Sequence, residues 1–113
     1  MASMSRLPRY NTFRVRGVLH GHKVTLLIDS GAFHNFIDAA LVDRREISTE
    51  EFEGFTVIIP GGYKMECTRW ITKLKITLGN YTLTDDFFVV DVSYTNVVLG
   101  VQWLYSIRKY TTD

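Results

Sequence analysis

The sequence predicts an all-β domain, mostly β with one or two short helices, folded as a small closed barrel. Three observations carry that prediction. Apolar and polar residues alternate with a period of two along much of the chain. Turn sequences recur at short intervals, at His20-Gly21, Pro60-Gly61-Gly62 and Gly79-Asn80. Helical spacing is confined to two short segments. A set of short strands must bury one face without leaving a long open edge, and closing the sheet on itself achieves both.

Taken in order, residues 1–9 read as a flexible leader and residues 10–113 as a single domain. Thr12 to Leu19 sets Phe13, Val15 and Leu19 against Arg14, Arg16 and Val18, the pattern of a half-buried strand. His20-Gly21 turns the chain into a second strand, Lys23 to Ile28, which ends apolar on both faces. Asp38 to Arg44 is a short helix candidate, with Asp38 at the cap position. Glu46 to Glu53 is acidic and polar, the composition of a surface loop. Phe55 to Ile59 and Tyr63 to Trp70 flank Pro60-Gly61-Gly62 as the two arms of a hairpin. Strands are expected again at Thr72 to Leu78, Tyr81 to Thr84, Phe87 to Val92 and Val97 to Leu99. Val101 to Ile107 carries Trp103, Leu104 and Ile107 at helical spacing, and Tyr110 to Thr112 suits a terminal strand.

Composition narrows the function classes. With 113 residues, 46% of them apolar, the chain has material for one core and not two, so a site needing many groups must be compact or shared between chains. A net charge of +1 without a basic stripe argues against a nucleic-acid binder. The longest apolar runs, Val24 to Ile28 and Phe87 to Val90, are far too short for a membrane-crossing helix. The N-terminus is too polar for a secretory signal, and the lone Cys67 leaves no internal disulfide. An intracellular, cytoplasmic protein that binds neither membrane nor nucleic acid is the expectation.

Three elements carry chemistry. The apolar strand Leu26-Leu27-Ile28 runs straight into Asp29, followed by the small residues Ser30, Gly31 and Ala32. A carboxylate at the end of a buried run is costly unless something pairs with it, which marks Asp29 as a catalytic candidate. The second element is the hairpin tip at Gly61 and Gly62, with Ile58, Ile59 and Tyr63 as apolar shoulders. The third is Val97-Val98-Leu99-Gly100, whose glycine suits close packing beneath another loop. Plainer readings stand beside these. Asp29 alone is most simply an Asx-turn residue, and Gly61-Gly62 alone only a turn. His20, His22 and His34 lack a fourth ligand at metal-site spacing, with His34 a candidate for the site rim. Asp85-Asp86 reads as a solvated turn, and Cys67 and Trp70, with Trp103, read as packing residues.

Together and in this order, the three elements resemble the retropepsin-type aspartic proteases. The run Asp29 to Ile37 and the run Val98 to Leu104 are most similar to the protease of Ty3/gypsy-type retrotransposons, particularly plant ones, and the similarity extends from about Phe13 to Asp113. The resemblance implies the retropepsin (acid protease) barrel and a homodimer with one active site on the two-fold axis, each copy contributing one Asp29. Two facing carboxylates cannot both ionise cheaply, so one would keep a proton while the other activates water. It also implies that Ser30 locks the two catalytic loops together, that Gly31 bonds substrate backbone and Ala32 supports the loop, and that no cofactor or metal is needed. Phe33, Val57, Ile58, Ile59, Pro60, Gly61, Gly62, Tyr63 and Val98 would meet an extended peptide, those from Val57 to Tyr63 as a mobile flap.

The implied activity is endopeptidase processing of a retroelement polyprotein, in the cytoplasm or within virus-like particles. The alternative is an inactive or domesticated module of the same fold, used for dimerisation or peptide binding. Two departures from the viral pattern stand out. Phe33 and Val101 occupy positions where viral enzymes commonly hold an acid and an arginine, which suggests an apolar contact in place of an ion pair. Pro60 would stiffen the flap tip.

Overall fold

The computed structural model of the chain describes residues 12–59 and 61–100. Seven strands and one helix follow one another as β1 (Thr12–Leu19), β2 (His22–Asp29), β3 (Phe36–Asp38), α1 (Ala39–Arg44), β4 (Glu50–Ile58), β5 (Lys64–Leu78), β6 (Tyr81–Val90) and β7 (Val97–Leu99). The expected leader, the helix from Val101 to Ile107, the strand from Tyr110 to Thr112, and residues Pro60, Val101 and Trp103 lie outside the described residues.

The sheet order is β1-β2-β7-β3-β6-β5-β4, and a further pairing of β1 with β5 (Val18 opposite Thr77) closes the ring, as the sequence predicts. His20 and Gly21, at φ of 50° and 80°, form the two-residue turn whose twist matches the strands it joins. From there β2 and β7 run parallel, Leu26 beside Val97 and Ile28 beside Leu99. Their start is fixed by the Thr25 amide donating to Asn96 Oδ1 at 2.8 Å and by the Thr95 hydroxyl donating to the Thr25 carbonyl at 3.1 Å. The geometry delivers the ends of both strands, Asp29 and Gly100, to the same place.

Two apolar clusters divide the interior. The larger gathers Leu19, Leu26, Ile37, Leu41, Ile76, Leu83, Phe87 and Leu99 with their neighbours inside the ring. The smaller lies beneath the hairpin and joins Ala32, Phe36, Val57, Ile59, Cys67, Val90, Val92 and Val98. A fully buried side chain of this size contributes roughly 1.5–3 kcal/mol, so both clusters hold the strands in register. An array of aromatic rings borders the smaller cluster. Phe88 meets His34 edge-on at 5.2 Å and Phe55 edge-on at 5.3 Å, and it stacks on Trp70 at 6.0 Å.

The structure corrects several sequence expectations. Phe13, predicted to face inward, is 60% exposed: along its side of β1 burial rises from Phe13 through the half-buried Val15 to Gly17 and Leu19, so only the far end of the strand reaches the core. Glu50 to Glu53 is not loop but the start of β4. A register shift between Glu51 and Phe55 lets this acidic stretch pair with Arg69 and Trp70 while Phe52 stacks on Phe55. The strands predicted at Tyr63 to Trp70 and Thr72 to Leu78 are one strand, β5, broken by a bulge between Ile71 and Leu74. Asp85 and Asp86 lie within β6 instead of a turn, and Asp86 Oδ1 accepts the Lys73 amide of that bulge at 2.9 Å. Asp38 stands at the helix start but makes no cap bond. Its Oδ1 accepts the Val92 amide at 3.0 Å and so ties β3 to the turn after β6.

Candidate active site

Asp29 is the last residue of β2, and the sheet dictates its surroundings. Its flanks are apolar and closed, since Ile28 and Leu99 are buried side by side. Beyond it the chain must turn at once, and the small residues permit that. The Gly31 amide donates to Asp29 Oδ1 at 2.8 Å and the Ala32 amide donates to the Asp29 carbonyl at 3.1 Å. The Asx-turn reading of Asp29 is therefore realised, and it is the device that aims the carboxylate. Asp29 is one of few buried polar residues, with 7% of its surface exposed. Ser30 and Gly31 lie at the surface and Ala32 is buried beneath them.

Gly100 packs under this loop in the way its position in the sequence suggests. A Cβ built on it would stand 2.6 Å from the His34 carbonyl oxygen and 2.7 Å from that of Ala32. No side chain fits there, because both obstacles are backbone. The Gly100 amide donates to Asn35 Oδ1 at 2.9 Å. Asn35 itself is 1% exposed, an unusual burial for an amide side chain. It follows Asp29 by six positions within the run that carries the resemblance, but the sequence assigns it no role there, and only its contacts reveal one.

The hairpin of β4 and β5 carries the second element. Its tip is held by the Ile59 amide donating to the Tyr63 carbonyl at 2.9 Å and the Gly62 amide donating to the Ile59 carbonyl at 3.0 Å. Strand alternation sorts the predicted contact residues into two sets. Ile58 and Tyr63 are 61% and 69% exposed, and Gly61 and Gly62 lie at the surface with them. Val57 and Ile59 turn inward and are buried in the smaller cluster. Val98 joins them there with no exposed surface, so within the single chain it underlies the site and does not line it. Phe33, by contrast, is 78% exposed just past the carboxylate loop; its supposed contact with Val101 lies outside the described residues. His34 sits beside it, its ring edge-on to Phe36 and Phe88.

Tyr94 is a residue the sequence gives no reason to single out. Burial pushes its phenol up from the ordinary tyrosine value, and the negative charge of Asp29 adds to the shift. The turn between β6 and β7 thus brings a phenol within electrostatic reach of the carboxylate. Among the described residues no group of three or more His, Cys, Asp or Glu side chains is placed to hold a metal ion, and no helix is long and apolar enough to cross a membrane. One carboxylate set on a rigid loop can hold or accept a proton; general acid–base hydrolysis of a peptide needs a second group beside it.

Residues 12–112 of the chain match the family model for the retroviral aspartyl protease.

Proposed function

Because the chain belongs to the retroviral aspartyl protease family, we propose that it is an aspartic endopeptidase active as a homodimer, with Asp29 from each copy forming one catalytic pair. The observation that supports this most is the setting of Asp29. It is a single buried carboxylate, oriented by the Gly31 amide, at the surface where β2 and β7 end together. A second copy related by a two-fold axis supplies the partner that one chain of this size lacks.

In the paired site one carboxylate keeps a proton and the other is ionised. The ionised group takes a proton from a bound water, which attacks the scissile carbonyl. The protonated group stabilises the developing oxyanion and then protonates the leaving amine. Ser30 and Ala32 support the loop. The Gly31 amide is already committed to Asp29, so its carbonyl is the group left to bond a substrate amide. Ile58, Gly61, Gly62 and Tyr63, with Pro60 between them, close over an extended peptide as a flap. Val57, Ile59 and Val98 form the apolar bed behind it, and Phe33 bears on the substrate from the rim. A retroelement polyprotein, of Ty3/gypsy type, is the substrate class that the sequence resemblance supports.

The test compares wild type with Asp29→Asn on a peptide library at mildly acidic pH, with and without pepstatin. Loss of cleavage by roughly a thousandfold or more is expected for the variant, with its melting curve and sedimentation unchanged. Equal cleavage by the two proteins, or a strict monomer that cleaves, would overturn the reading.

A further inference from the structure

We propose that Asn35 is a positioning residue for Asp29, holding the catalytic loop at a fixed height above Gly100; the proposal rests on the protease reading above. Asn35 closes the loop that begins at Asp29, and three bonds leave it in three directions. Its Oδ1 accepts the Gly100 amide at 2.9 Å, its Nδ2 donates to the Asp86 carbonyl at 3.1 Å, and its own carbonyl accepts the Phe88 amide at 3.0 Å. One side chain and one peptide unit therefore join the carboxylate loop, the end of β7 and the middle of β6.

The geometry gives those bonds a mechanical meaning. Gly100 is pressed so closely on the carbonyls of Ala32 and His34 that not even a methyl group fits between them. Contact of that kind resists the loop moving inward, but it does not stop the loop moving outward. The bond from the Gly100 amide to Asn35 Oδ1 supplies the missing restraint. Ala32 then carries the setting to Asp29 through its amide, which donates to the Asp29 carbonyl at 3.1 Å. The amide side chain suits the task because it accepts and donates at once, and both capacities are used. With only 1% exposure, Asn35 holds its bond to Gly100 in a buried setting where water does not readily replace the partner, so losing that bond is costly.

The consequence is a role seen in turnover more than in binding. A loop released by about 1 Å leaves the flap and the cleft walls intact but misplaces the reacting oxygen, and a misplacement of that size costs on the order of 100-fold in rate. Asn35→Leu keeps the branching and the number of heavy atoms, at a larger volume, and removes both side-chain bonds. Asn35→Asp, in its protonated form, offers the same acceptor and one donor. Each variant is assayed against wild type in mild acid, with kcat and KM determined separately and a melting curve recorded in the same buffer. Amide hydrogen exchange is followed by NMR at Gly100 and Gly31.

The expected result for Asn35→Leu is a kcat lower by about 100-fold with KM within about threefold, and faster exchange at Gly100 and Gly31 than at the amides of β5. Asn35→Asp is expected to recover most of kcat. Loss of activity only in proportion to the unfolded fraction, an effect confined to KM, or unchanged exchange at Gly100 and Gly31 would each overturn the proposal. A wild-type protein that fails to cleave would instead sink the protease reading, and the exchange measurements would still decide whether Asn35 restrains the loop.

Discussion

The carboxylate loop and the β4–β5 hairpin border the same apolar cluster, through Ala32 on one side and Val57 and Ile59 on the other, and are built on different physical plans. The loop from Asp29 to Asn35 is anchored from beneath. Its bonds reach β6 and the end of β7, it rests on Gly100 without a gap, and its polar anchors Asp29 and Asn35 are both buried. Among the described residues the hairpin tip is held by two local backbone bonds, between Ile59 and Tyr63 and between Gly62 and Ile59; Ile59 is buried beneath it while Ile58 and Tyr63 turn to the surface. Local stability follows buried contact and protected hydrogen bonds, so the loop should open less readily than the tip. That division suits the proposed function, in which Asp29 has to be held still and the hairpin tip has to yield to a peptide.

Glycine illustrates the difference and offers the sharpest way to break it. Gly100 is required because a side chain would collide with backbone carbonyls, whereas Gly62 is required because its φ of 86° lies in the left-handed region, with open space around it. Gly100→Ala should therefore be the most damaging change. We expect a loss of about 3 kcal/mol from overpacking against immovable backbone, seen as a lower denaturant midpoint at unchanged slope, with activity lost alongside. Gly62→Ala should cost only about 1 kcal/mol of backbone strain, and its effect on cleavage should exceed what that loss of stability explains. Equal destabilisation by the two substitutions would erase the distinction between loop and tip.

A smaller effect sharpens the comparison at the tip itself. Ile58 is exposed, so Ile58→Ser should leave the melting midpoint within the range of about 0.5 kcal/mol usual for surface changes. If the tip closes on substrate, KM should rise several-fold with little change in kcat. An unchanged KM would remove Ile58 from the flap's contact surface.

The smallest effect concerns the apolar bed behind the flap. Cys67 has no exposed surface and shares its thiol between the carbonyls of Arg69, at 3.3 Å, and Val89, at 3.6 Å. Burial pushes the thiol up from its ordinary value, and backbone hydrogen bonding at Arg69 and Val89 offsets only part of that. A thiol whose folded value is raised contributes its stabilising preference below the unfolded value and loses it as pH rises through the folded one. Stability should therefore decline slightly above the ordinary thiol range, and Cys67→Ala should abolish that decline while lowering stability at neutral pH. Thiol reagents should modify Cys67 only as fast as the protein unfolds. Rapid modification of native protein would mean that the bed is open and the flap side looser than its packing implies.

The residues that were legible in the sequence share one property: their meaning is local. The strands β1 and β2, the turn at His20-Gly21, the hairpin around Gly61 and the run into Asp29 each declare themselves within a few positions, and all are found where the pattern puts them, although Phe13 of β1 is exposed. Errors arose where a distant partner decided the outcome. Glu50 to Glu53 is acidic enough to read as loop, but pairing with β5 and ring contacts at Phe52 make it strand. Asp38 has the composition of a cap and spends its carboxylate on Val92 instead. Ile59 and Val98 are apolar, which does not say whether they face a substrate or a core; burial places both in the core of the single chain.

By itself, the sequence determined that the chain is mostly strand, that it is too small for two cores, and that an apolar run delivers one carboxylate to a glycine-bearing turn, because these depend on residue type and on separations of a few residues. Only the tertiary structure decided that the loop above Gly100 is the one that follows Asp29, that Asn35 fastens the two together, and that the charge of Asp29 bears on Tyr94. Those relations join positions far apart in the chain. They arise from the parallel pairing of β2 with β7, which no local pattern of residues can specify.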